Sequence, residues 1–284
     1  MSIQDKAVLV SLNISCWSGN KTDRDAARDI ESSRGAESGT FKAIKNLLPE
    51  QAALKDIKTL CGSVRNGFYE KSLPWNRGQY IMPADIYEDW QASFNDDKEK
   101  FAKYVESFKS DYGRLKDIAK KQLGSAFSAD DYPSEDILDD MFTLDARVEP
   151  IAGDDWRVEI SAEQKKVLER DWNKHKDDAI REATHELWTR LSGFVDHYCN
   201  QLENGKRLHD TTVTQLAELC ENIPSFNLAE DGHIVEAKDA IKEALADLSM
   251  GDIKADKTLR SSQAQNMRAA QDKMAGLMKA STTQ

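Results

Sequence analysis

Glycine and proline are scarce, with 14 and six in 284 residues, which argues against a turn-rich β-sandwich. No run of 18 apolar residues exists, so the sequence offers no transmembrane helix. The start, Met1 to Lys6, lacks the charged-then-apolar order of a secretory signal. The four cysteines, Cys16, Cys61, Cys199 and Cys220, form no C-x-x-C pair. That argues against a disulfide scaffold or a zinc site and favours a reduced, cytoplasmic compartment.

Known chemical signatures are missing as well. No G-x-x-x-x-G-K-[ST] cradle and no G-x-G-x-x-G turn occurs, so nucleotide hydrolysis and Rossmann binding lack support. No G-x-S-x-G elbow occurs. His185-Glu186 begins an H-E-x-x-H pattern, but the second histidine position holds Thr189. The reading expects no catalytic residue, no metal and no cofactor. His175 falls on a helical seam and His185 about 80° off it, and both read as structural histidines.

Charge is abundant. Lys and Arg number 39 and Asp and Glu 50, giving −11, and mean hydropathy is −0.66. Such polarity suits extended helices with wet faces better than one large spherical core. By successive fifties the net charge runs 0, −1, −4, −3, −6, and the last 34 residues carry +3. An acidic body repels nucleic-acid phosphate, while the basic tail could touch it. The acidic cluster at 130–140 lacks the order of a calcium loop and reads as a solvated face or a docking surface for a basic partner.

Periodicity supplies the elements. Residues 7–17 alternate with period two, as a half-covered strand does. Residues 22–34 read as a polar helix capped by Thr22 or Asp23, and Phe41–Leu48 as a helical stretch. A helix over roughly 50–71 carries Leu54, Ile57, Leu60, Cys61, Val64 and Phe68 at helical spacing. Leu73-Pro74-Trp75 breaks it, and 78–82 is a short strand. A helix from Pro83 is expected to stop at Asn95-Asp96-Asp97, with another running to about Leu123 and Gly124 as its cap. The aromatics Phe68, Tyr69, Trp75, Tyr80, Tyr87, Trp90 and Phe94 are dense but interleaved with acids, so core packing accounts for them better than base stacking does. Residues 142–149 and 156–160 alternate again as a hairpin.

Ser161 and Gln164 fit a capping box. From there to Asn204-Gly205 apolar or semi-apolar residues recur at 168, 172, 175, 179, 183, 187, 191, 194, 198 and 202. A rod of some 42 residues would run roughly 63 Å at 1.5 Å per residue, too long for a small compact domain. Helices over 211–222 and 229–248 follow, the second returning along the rod as a hairpin. Gly251 to Lys257 reads as a hinge before a last helix, Leu259 to Lys279, in which Met267, Met274, Leu277 and Met278 are apolar and Arg260, Arg268, Lys273 and Lys279 basic.

The fold class expected is therefore mainly helical α+β: a small antiparallel sheet with packed helices and a long projecting helical hairpin. The organisation expected is a mixed domain over 1–160, a helical hairpin over 161–250, and a hinge with a basic helix over 251–284. The leading function is a non-enzymatic interaction protein that forms a coiled-coil homo-oligomer. Its contact residues would be Leu168, Trp172, Leu187, Leu191, Phe194, Tyr198, Met267, Met274 and Met278. The alternative is nucleic-acid binding in recombination or defence evasion, through Arg260, Arg268, Lys273 and Lys279 aligned in an oligomer. No membrane partner is expected.

Several short motifs carry a resemblance: Leu9-Val10-Ser11-Leu12 with Ile14, Trp17-Ser18-Gly19, Leu73-Pro74-Trp75 with Gly78, Met82-Pro83-Ala84, Phe108 with Tyr112, Tyr132-Pro133, and Arg157-Val158. The chain resembles domain-of-unknown-function family 3150 over most of residues 7–200. That resemblance implies a phage or mobile-element setting, and a possible role as adaptor or substrate of an AAA-type ATPase. The family has no assigned catalytic residues, so none is carried over.

Overall fold

The computed structural model describes residues 3–48, 52–152, 161–203, 210–245, 253 and 256–281. The protein is mainly helical α+β. Its elements are α1 (Ile3–Lys6), β1 (Ala7–Ser15), β2 (Asn20–Asp23), α2 (Arg24–Arg34), β3 (Ala43–Asn46), α3 (Ala52–Glu70), β4 (Leu73–Asn76), β5 (Gln79–Pro83) and α4 (Ala84–Leu123). They continue with α5 (Glu135–Leu138), β6 (Thr143–Pro150), α6 (Ala162–Glu203), α7 (Asp210–Phe226), α8 (Gly232–Leu245) and α9 (Lys257–Ser281). One sheet has the order β4-β5-β1-β6, and β2 pairs with β3 in a second. β1 runs antiparallel to β5 with Ala7 opposite Pro83 and Val10 opposite Tyr80. β4 and β5 form a hairpin turned at Gly78, whose φ of 74° favours glycine.

Contacts group the chain into two compact units. One unit holds Met1–Val10, Lys71–Glu88 and Val148–Gln284; the other holds Ser11–Glu70 and Asp89–Arg147.

The first unit has a single apolar core. Ala7, Leu9, Leu73, Trp75 and Ile81 from the strands join Leu187, Leu191, Val195 and Tyr198 of α6. Leu216 and Ile223 of α7, Ile234 and Ile241 of α8, and Met267 and Met274 of α9 complete it. Helix α9 packs on both α6 and α8, and β4 rests against α6.

The second unit packs aromatics. Trp90 stacks on Phe94 with ring centres 4.9 Å apart, and Phe68 lies 5.8 Å from Trp90. Trp17 meets Phe108 and Tyr112 at 6.1 and 6.0 Å. Phe68, Trp90 and Phe94, like Trp75 in the first unit, are buried, so this aromatic set is core; Tyr69 is exposed.

Two local expectations are corrected. Residues 43–46 are strand β3 rather than helix, because Thr22 and Asp23 pair with Ile44 and Ala43. Helix α3 does end ahead of Leu73-Pro74-Trp75, at Glu70, and that stretch itself forms strand β4, where Leu73 and Trp75 are buried. The break at Asn95-Asp96-Asp97 is absent. Helix α4 runs unbroken for 40 residues because its stripe of Trp90, Phe94, Phe101, Phe108, Tyr112, Leu115 and Ala119 stays buried on either side of that polar turn. Asn95 there accepts a hydrogen bond from Gln91 at 3.0 Å. Residues 156–160 and most of the 251–257 segment lie outside the described residues.

Candidate functional site

Helix α6 carries most of the expected contact residues, and its two halves differ. It is one continuous helix of 42 residues. Its start is capped as expected, with the Gln164 amide donating to Ser161 Oγ at 3.2 Å. Ten of its side chains are buried, from Ala179 onward. None is buried between Ala162 and Asp178, where Val167 and Leu168 are 46% and 41% exposed. Trp172 is half-buried against the core, with an indole N–H that meets no acceptor among the described residues.

The expected contact residues therefore fall into two groups. Leu187, Leu191, Tyr198, Met267 and Met274 are buried in the chain's own core, with Phe194 and Met278 packed partly against it. Leu168 is free to solvent, and Trp172 marks the boundary. The returning partner of α6 also differs from expectation. Helix α9, not α8, runs against it, because the methionines of α9 supply the apolar stripe that matches the α6 seam.

The basic set divides similarly. The Arg260 guanidinium donates to the Leu202 and Gln201 carbonyls at 2.9 and 2.5 Å, closing the carboxyl end of α6. A cation suits that end because its last carbonyls lack amide partners and the helix dipole is negative there. Arg268 grips Glu203 through two bonds of 2.7 and 2.8 Å and holds its carboxyl below the usual range. Lys273 and Lys279 lie exposed on α9.

A cavity of about 740 Å³ adjoins the exposed half of α6. Asp177, Arg181, His185 and Trp188 of α6 line one side, and residues 229–233 with Ser281 line another. Its rim is locked. The Asp231 amide donates to Asn227 Oδ1 at 2.8 Å, and Asn227 Nδ2 returns a bond to the Asp231 carbonyl at 2.9 Å. Glu230 holds a left-handed φ of 54° and pairs with Lys6. Ser281 Oγ donates to Asp231 Oδ2 at 2.6 Å and accepts from Trp188 Nε1 at 3.3 Å.

This arrangement does not make a nucleophile. Asp231 Oδ2 accepts the Ser281 hydrogen bond directly, and its other oxygen accepts from the His233 amide at 2.9 Å at the start of α8. The carboxylate is thus occupied without an imidazole between it and the hydroxyl, and the relay of a serine hydrolase is not assembled. Among the described residues no group of three or more His, Cys, Asp or Glu is placed to hold a metal ion. Residue order offers no sign of this cavity, since Trp188, Asp231 and Ser281 lie far apart along the chain and share no motif.

The acidic cluster is partly a docking surface for the chain's own lysines. Asp131 receives Lys21 and Lys45 Nζ at 2.5 Å each, with its side chain only 6% exposed, and the two lysines hold its carboxyl below the usual range. Asp139 pairs with Lys109.

Comparison with protein-family models, with curated proteins and with solved structures returns no match. Among the described residues no helix is long and apolar enough to cross a membrane.

Proposed function

We propose that this chain is a non-enzymatic assembly protein that joins a second copy of itself through residues 162–178 of α6. The observation that carries the reading is the change in burial along one unbroken helix. Ten side chains are buried from Ala179 onward and none before it. Most helical stability in water comes from packing an amphipathic face, so a half-helix that presents Val167 and Leu168 to solvent gains from a partner. Charge selects a like partner. Residues 162–178 hold five basic and five acidic side chains, so this stretch is neutral while the whole chain carries −11. Two copies can meet there without the repulsion their bodies would impose. Arg260 and Arg268 are engaged within the chain, which leaves Lys273 and Lys279 as the exposed cations of the set that the nucleic-acid reading invokes.

The test is the solution mass of the full chain at tens of micromolar. The expected result is a dimer for the wild type and a monomer of unchanged helicity for the double variant Val167→Glu, Leu168→Glu. A strict monomer for the wild type, or a dimer indifferent to both substitutions, overturns the proposal.

A further inference from the structure

The cavity beside α6 holds an unbalanced charge. Five charged side chains line it: Asp177, Arg181, Glu230, Asp231 and Glu236. Two of them are neutralised by residues outside the lining. Arg181 pairs with Asp178 at 3.0 Å, and Glu230 pairs with Lys6. The other three, Asp177, Asp231 and Glu236, have no cationic partner among the described residues. Asp231 accepts from the Ser281 hydroxyl and the His233 amide, but both donors are neutral and leave its charge in place.

The three carboxylates are spread rather than gathered. Among the described residues no group of three or more His, Cys, Asp or Glu is placed to hold a metal ion. Charges spaced along a chain suit such a lining better than one small ion does. The α6 wall has the matching length and surface. Asp177, Ile180, Thr184 and Trp188 follow at steps of three and four, so they share one helical face. At 1.5 Å per residue that face extends about 16 Å, with apolar surface from Ile180 and Trp188. A separate observation points to a missing donor. His233 lines the cavity, and its Nδ1 is buried with no hydrogen-bond partner among the described residues. An unpaired buried polar atom costs free energy that a donor from a ligand recovers.

We propose that this cavity binds a linear polyamine, a molecule whose ammonium groups are separated by runs of methylenes. The ammoniums pair with Asp177, Asp231 and Glu236, one N–H bonds to His233 Nδ1, and the methylenes lie against Ile180 and Trp188. The walls are set before the ligand arrives. Trp188 Nε1 donates to Ser281 Oγ at 3.3 Å, and Ser281 Oγ donates to Asp231 Oδ2 at 2.6 Å, which ties α6, the end of α9 and the turn before α8 together. Fixed walls lower the ordering cost of binding. A volume of about 740 Å³ lies within the usual range of small-molecule sites.

The experiment is calorimetric titration of the full chain with spermidine in about 0.15 M salt, which screens exposed charges beyond about 8 Å. The expected result is saturable binding of one spermidine per chain. The double variant Asp177→Asn, Glu236→Gln alters two exposed side chains and should keep its circular dichroism while binding at least about tenfold more weakly. The double variant Glu99→Gln, Glu106→Gln makes the same charge change on exposed positions of α4 and should bind as the wild type does. Acetyl-lysine amide with a free side-chain amine offers a single ammonium, as a partner protein's lysine would, and should bind at least about tenfold more weakly than spermidine. Absence of saturable binding, or equal weakening by both double variants, overturns the proposal, since the second result reports only attraction to an acidic chain. Acetyl-lysine amide binding as tightly as spermidine also overturns it, because the site would then take a single side chain.

Discussion

Single residues fix the loops of this protein through ionic and amide contacts that periodicity does not report. Glu31 is buried on α2, and its Oε1 accepts from the Gly39 and Phe41 amides at 2.7 and 3.1 Å. Gly35 ends the same helix at a φ of 62°, the left-handed cap that glycine adopts without a Cβ penalty. Asp131 is the sharpest case, since one carboxylate holds Lys21 of β2 and Lys45 of β3. Replacing Asp131 by Asn would remove the carboxylate that Lys21 and Lys45 share and leave Lys45 with Asp23 at 3.9 Å as its remaining acidic partner. We expect a loss of about 2 kcal/mol at neutral pH, read from the urea midpoint. The folded carboxyl titrates below its ordinary value of 3.8, so its contribution is full above that value and fades as pH falls through the lower, folded one. The difference between wild type and Asp131→Asn should therefore shrink in acid below about pH 4 and stay constant between about pH 5 and 8.

Among the elements, the two long helices behave alike in sequence and differently in burial. Helix α4 buries its aromatic stripe from Trp90 to Ala119, whereas α6 buries only the stretch after Asp178. Both were legible as amphipathic helices from apolar spacing. The continuity of α4 across Asn95-Asp96-Asp97 was not, because an exposed polar turn inside a helix looks like a loop when its neighbours' packing is unseen. The last helix, α9, is also an element whose role is decided by contact. Met267 and Met274 are fully buried, and Arg260 closes the end of α6. Arg260→Ala should cost about 2 kcal/mol by removing charge-assisted bonds to the Leu202 and Gln201 carbonyls. Met267→Ala should cost about 3 kcal/mol through lost burial and the cavity left behind. Both are measured as lower urea midpoints with unchanged slopes; a neutral result for both would mean that α9 does not dock on α6.

At the level of the whole molecule, the first unit gathers distant parts of the chain into one core. Ala7 and Leu9, Leu73 and Trp75, and the helices from α6 to α9 share it. A fragment spanning residues 161–284 would lack the strands that cover α6 and α7. We expect it to bind hydrophobic dyes and to unfold without a sharp transition, checked by dye fluorescence and thermal circular dichroism. Sharp two-state melting of that fragment would count against a shared core. The amino-acid order determined the helical class, the strands read near 7–17, 78–82 and 142–149, the long rod of α6 and its cap, because these follow from local periodicity and capping chemistry. Tertiary structure alone decided that α9 covers the α6 seam, and that Leu187 and Tyr198 face inward while Leu168 does not. Those outcomes depend on which surfaces far apart in the chain come together, and the spacing of residues along one element carries no record of its partner.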